Sequence, residues 1–123
     1  MNPTLTKNYV AEAAITKYRI VQFGTADGQV IPATGVTSTM FGVCAELDAA
    51  IGERVDIHEG GIPEVEYGGN VTRGDPLTSD ANGRAVTAAP AAGVNNRTIG
   101  FAQVSGVLGD IGSVKLFPSR IQG

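Results

Sequence analysis

Hydrolysis of the serine or cysteine type needs a base within reach of the nucleophile, usually histidine, and this 123-residue sequence holds one histidine, His58. His58 stands between Ile57 and Glu59 on the polar phase of an alternating segment, which predicts a solvent-facing side chain rather than a base. The one thiol, Cys44, lies between Val43 and Ala45 and reads as a small buried hydrophobe. Its neighbours Glu46 and Asp48 are the wrong sign to favour a thiolate. One Cys and one His cannot close a structural zinc site of four nitrogen and sulfur ligands, so no metal is expected. The carboxylate pairs Glu64/Glu66 and Asp56/Glu59 have the residue types of a glycosidic acid and base. Glu64 and Glu66 share one face of one strand, however, and a short chain has little material to roof a cleft above them, so a solvated strand face is expected. Asp27, Asp75, Asp80 and Asp110 sit beside or near glycines without the spacing of a calcium loop, and predict turns.

Nucleotide chemistry has no support, because neither a Gly-x-x-x-x-Gly-Lys-[Ser/Thr] loop nor a strand-to-helix Gly-x-Gly-x-x-Gly occurs. A biotin or lipoate carrier must display a lysine at a tight hairpin, whereas Lys7, Lys17 and Lys115 fall in an N-terminal segment, at a strand start and within a strand. Arg73-Gly74-Asp75 spells an adhesion tripeptide but occupies a Gly-Asp-Pro turn. The expectation is a protein without catalysis and without cofactors.

Nine Lys and Arg against twelve Asp and Glu give a net charge of -3, which makes nucleic acid a poor partner. No apolar run approaches the roughly 20 residues of a membrane-spanning helix, so no membrane partner is expected. The N-terminus lacks a basic stretch leading into an apolar one, which predicts synthesis in a cytoplasm without secretion. Seventeen Gly and six Pro with only 17% charged residues oppose long helices and point to many turns. Size scaling gives about 6,200 Å² of accessible surface folded against about 18,300 Å² unfolded, enough for one modest core.

The elements follow from turn chemistry. Residues 1–16, with Pro3, three threonines and the Ala-rich Val10 to Ile15, are too weakly periodic to bury a face alone and predict an extended N-terminal arm. Residues 17–123 then show about seven short apolar segments between turn residues, the pattern of a small all-β barrel or sandwich in a single domain. Tyr18 to Phe23 and Gln29 to Ala33 should pair across Ala26-Asp27-Gly28. Met40 to Ala45 is followed by a helical turn or broad loop over Glu46 to Gly52. Glu53 to Glu59 and Ile62 to Tyr67 alternate around a hairpin tip at Gly60-Gly61. Asn82-Gly83 turns the chain into Arg84 to Thr87. After an Ala-rich loop over Ala88 to Asn96, Thr98 to Val104 and Ser113 to Phe117 are the last strands, and Pro118 ends the second.

Several blocks resemble the small tailed-phage head proteins called capsid cement or decoration proteins. They are Lys7-Asn8-Tyr9-Val10-Ala11-Glu12-Ala13-Ala14-Ile15 with Tyr18-Arg19-Ile20-Val21, and Gly52-Glu53-Arg54-Val55-Asp56-Ile57. Gly74 to Val86, Ile99-Gly100-Phe101-Ala102 and Gly109-Asp110-Ile111-Gly112 extend the similarity over nearly the whole chain. The resemblance implies an all-β protein on the exterior of the phage head, made in the bacterial host cytoplasm. It implies a non-catalytic homotrimer that binds the major capsid protein of the mature head and clamps neighbouring subunits. The segment Asn8, Tyr9 and Val10 is expected to dock on the capsid, by strand addition to an exposed edge, while the barrel faces make the trimer; the other reading open to it is packing on its own subunit as an edge strand. The alternative is a head-displayed receptor- or carbohydrate-binding module, for which Tyr9, Tyr18 and Tyr67 are the available polar aromatics.

Overall fold

The computed structural model describes residues 3–123, and the chain in it is all-β, as expected. Ten strands are present among these residues: β1 (Thr4–Ala11), β2 (Ile20–Phe23), β3 (Gln29–Pro32), β4 (Met40–Cys44) and β5 (Arg54–Gly61), then β6 (Glu64–Glu66), β7 (Pro76–Ser79), β8 (Ala85–Thr87), β9 (Asn95–Ala102) and β10 (Ile111–Gln122). The first five close into a barrel in the order β1-β3-β2-β4-β5, and the last five form a sheet in the order β6-β10-β9-β7-β8.

Local chemistry explains the hairpins. Gly28 at φ 80° lets β2 and β3 pair antiparallel, with Phe23 opposite Val30. Gly83 at φ 78° does the same for β7 and β8. The loop over 46–51 contains no helix, and Ala49 instead bridges to Ile15.

Two cores result from the period-two pattern. Tyr9, Ala11, Val21, Val30, Cys44, Val55 and Ile57 fill the barrel together with Ile15 and Ala49. Ile20, Met40 and Val43 join Val65, Tyr67, Leu77, Ile99, Val114 and Leu116 in the core shared with the second sheet. β4 serves both, with Cys44 in one core and Met40 and Val43 in the other. The accessible surface of 6251 Å² matches the expectation from chain mass.

Three sequence expectations are corrected. Thr4–Ala11 does not stand off as part of an arm: it is a barrel strand, antiparallel to β5 from Thr4 to Val10 and parallel to β3 at Val10 and Ala11. Its anchors are few, Tyr9 and Ala11 on one face, so its periodicity looks weak by itself. Gly60-Gly61 is not a hairpin tip. β5 pairs with β1 and β4, whereas β6 pairs with β10, so the chain crosses here from barrel to sheet. Pro118 does not end the last strand, because β10 runs on to Gln122 past an irregularity between Leu116 and Ser119 that absorbs the missing donor.

Candidate functional site

β1 is longer than the barrel it closes. The Val10 amide donates to the Gly28 carbonyl at 2.9 Å and the Glu12 amide to the Val30 carbonyl at 2.9 Å, while the Ala11 amide donates to Glu53 on the opposite flank at 2.9 Å. Backbone groups alternate along a strand, so those of Thr4, Thr6 and Asn8 also point away from β5. Pairing with β3 stops at Val10, and among the described residues no strand covers that flank from Thr4 to Tyr9. Thr4 through Asn8 are all exposed. Among the described residues, this flank of β1 is an open strand edge with no proline between Thr4 and Tyr9 to block it.

The interior face of the same strand leads into an aromatic barrel mouth. Phe23 and Phe41 stack with centroids 4.0 Å apart and planes at 3°, and Tyr9 meets Phe41 edge-on at 5.4 Å and 61°. Phe23 remains 52% exposed and Leu5, beyond the mouth on the Tyr9 face, 66% exposed. The Tyr9 hydroxyl donates to Glu59 Oε1 at 2.9 Å, and Lys7 Nζ sits 5.1 Å from the Tyr9 ring centroid. The three residues expected to dock are therefore not one patch. Asn8 is exposed, with Nδ2 donating to Asp56 Oδ1 at 3.1 Å; Tyr9 is buried; Val10 is half-buried and paired on both flanks. Phe23, Phe41 and Glu59 escape a sequence reading because strands distant in the chain bring them together.

Burial, then the hydrogen bond and charge of Glu59, push the Tyr9 hydroxyl up to about 12. Burial, then Asp110, also raises Tyr67. Burial, with Asp48, Asp56 and Glu46, holds the Cys44 thiol up at about 12, so it is an inert core residue whose Sγ donates to the Leu47 carbonyl at 3.4 Å. Each group is held protonated in the fold and ionises more readily when unfolded. Its stabilisation is complete below the unfolded value and lost as pH rises through the folded one. Urea unfolding at a series of pH values should therefore show constant midpoints near neutrality and a progressive fall from about pH 9 upward. A midpoint flat to pH 11.5 would contradict this burial.

The remaining polar candidates are mostly engaged in structure. Glu66 is ion-paired with Arg19 at 3.2 Å and Arg84 at 3.7 Å, so only Glu64 keeps a solvated face. Asp75 accepts from the Thr72 amide and the Thr87 hydroxyl, both at 2.9 Å, which accounts for the Arg-Gly-Asp turn. His58 departs from the expected exposure: its side chain is 17% exposed, with Nδ1 2.8 Å from the Thr6 hydroxyl. Glu46 lies 3.8 Å from its Nε2 and is 71% exposed, too far to hydrogen-bond and orient an imidazole as a catalytic triad does. His58 and Glu46 instead line an open groove of about 520 Å³ with Thr4, Tyr18, Glu64 and Ser113.

The description "Phage cement protein" fits residues 1–109 of the chain. Among solved structures, the head fiber gp8.5 N base of bacteriophage phi29 is similar at a TM-score of 0.72 and 19% identity. The alignment covers 98% of this chain and 100% of that one, a likeness that bears on the fold alone. No curated protein matches. With a family match over most of its length and an all-β barrel and sheet to go with it, the chain belongs to the phage cement protein family.

Proposed function

We propose that this structural protein of the phage capsid binds the exterior of the mature head as a homotrimer and clamps neighbouring major-capsid subunits, after synthesis in the bacterial host cytoplasm. It catalyses nothing in this role. A protein that binds the expanded shell and not its precursor stabilises the expanded state by mass action, and many copies on a symmetric lattice need only modest affinity each. The observation that carries the reading is the open edge of β1. An extended capsid segment adds to Thr4, Thr6 and Asn8 by main-chain hydrogen bonds and turns alternate side chains toward the mouth at Leu5 and Phe23. Of the three residues Asn8, Tyr9 and Val10, Asn8 then makes the contact, while Tyr9 and Val10 hold the strand in place. Exposed Leu47, Ile51, Val107 and Leu108 supply apolar surface for self-association.

Thr6→Pro separates docking from folding. The Thr6 amide points away from β5, so proline there removes a docking donor without removing a backbone β1–β5 hydrogen bond, at the cost of the exposed Thr6 hydroxyl contact to His58. Purified variant mixed with expanded, undecorated heads should bind at least about tenfold more weakly, with a thermal midpoint close to that of the parent. Parent protein should occupy sites in groups of three in images of the decorated heads. Undiminished binding by a folded Thr6→Pro protein, or single copies on the lattice, would overturn the corresponding part of the reading. A second reading, a head-displayed receptor- or carbohydrate-binding module, is favoured by the polar groove beside Tyr18.

A further inference from the structure

Tyr18 is the one non-glycine residue with positive φ among the described residues, at 63°. Glycine would hold that conformation without strain, yet an aromatic residue occupies it. The conformation is held from both sides: the Tyr18 amide donates to the Cys44 carbonyl at 3.2 Å and its carbonyl accepts from the Glu66 amide at 2.9 Å. The adjacent Arg19 is tied to Glu66 and to the Asn82 carbonyl. The backbone under Tyr18 is thus fixed, at the wall of the groove.

The groove's volume of about 520 Å³ is that of a small-molecule site. Among the described residues, its wall around Tyr18 carries Thr4, His58 and the carboxylates of Glu46 and Glu64, and no lysine or arginine. Carboxylates repel anions but accept paired hydrogen bonds from neighbouring hydroxyls, and His58 is steadied by the Thr6 hydroxyl at 2.8 Å. An aromatic residue beside acceptors that suit vicinal hydroxyls, without cations, matches a neutral saccharide better than a phosphorylated or sulfated one.

We infer that this groove binds neutral saccharides, with the Tyr18 ring stacking on the apolar face of a sugar and Glu46, Glu64 and His58 taking its hydroxyls. The inference deepens the second reading above and is independent of capsid docking. The groove lies on the β5 flank of β1, with Thr4 bordering both it and the open edge, whereas Tyr18 belongs to the groove alone. It gives a head-bound protein a means of holding the phage near a glycan-covered cell.

The test is an amide-shift NMR titration of the full chain with cellobiose, maltose and N,N′-diacetylchitobiose in turn, with oligolysine as the competing chemistry. At least one saccharide should move the amides of Tyr18, Glu46, His58 and Glu64 in a saturable way. Tyr18→Gly relieves the positive φ while removing the ring, so it should stay folded and bind about tenfold more weakly. Glu64→Gln should also weaken binding. Absence of shifts with all three sugars, equal affinity in Tyr18→Gly, or saturation by oligolysine alone would overturn the inference. Tyr18→Gly protein should still decorate heads, so failure of the groove and failure of capsid docking are read separately.

Discussion

Tyr67→Ala should lower the unfolding free energy by about 3–5 kcal/mol, a large part of the about 5–15 kcal/mol expected of a domain. Tyr67 is fully buried in the core shared by barrel and sheet. Its hydroxyl donates to the Val104 carbonyl at 2.7 Å, its amide to the Asp110 carbonyl at 2.8 Å, and its carbonyl accepts from the Gly109 amide at 2.9 Å. The loop over 104–110 is therefore wrapped around one side chain. It comes so close that a Cβ on Gly106 would lie 2.7 Å from the ring and one on Gly112 would strike the hydroxyl. Truncation to alanine leaves a cavity as well as a loose loop, and neighbours fixed in strands cannot collapse into it. Tyr67→Phe keeps the packing and leaves one carbonyl without its donor, at about 1–3 kcal/mol. Urea unfolding of both variants checks the pair. A cost for alanine no greater than for phenylalanine would mean that the hydrogen bond, and not the packed ring, holds the loop.

Gly100→Ala should cost about 3 kcal/mol and lower the thermal midpoint by about 10 °C. Gly100 has φ of +157° in β9, beside the irregular stretch of β10. A Cβ there would fall on the Lys115 carbonyl oxygen, with the Lys115 carbonyl carbon at 2.9 Å and the Phe117 amide nitrogen at 3.1 Å. All three are backbone atoms, so relief requires parting the β9–β10 ladder rather than turning a side chain. Gly69 is the control, since a Cβ there meets nothing within 4 Å and its φ is not positive. Gly69→Ala should stay within about 0.5 kcal/mol of the parent. Equal midpoints for the two variants in a thermal melt would refute the close β9–β10 approach.

Much of the architecture was legible locally. Asp27-Gly28 and Asn82-Gly83 impose positive φ at their glycines and so specify two hairpins. Val55 and Ile57 alternate with polar neighbours and mark a strand with one buried face. Cys44 reads as core because nothing around it favours a thiolate, and its raised thiol agrees. The failures share a cause. The arm reading of residues 1–16 gives way to the edge-strand reading for β1 because a strand held by parallel pairing to β3 and antiparallel pairing to β5 needs few apolar residues of its own. Gly60-Gly61 resembled a hairpin tip because local turn chemistry does not say which strand a segment will pair with. His58 is expected in solvent because it falls on the polar phase of its own strand, whereas its contacts arrive from elsewhere in the chain, Thr6 from β1 and Glu46 from the loop after β4.

The candidate site divides along the same line. One histidine and one cysteine cannot supply the four nitrogen and sulfur ligands of a closed zinc site, which is readable before any coordinates. Residue types are a property of sequence, and so are the turns, because positive φ and proline act within two or three positions. Which edge stays open, that Phe23, Phe41 and Tyr9 meet at one barrel mouth, and that Tyr18, His58 and Glu64 share a groove are decided by barrel closure and strand order. Those depend on contacts between residues tens of positions apart, whose energies no local window of sequence contains.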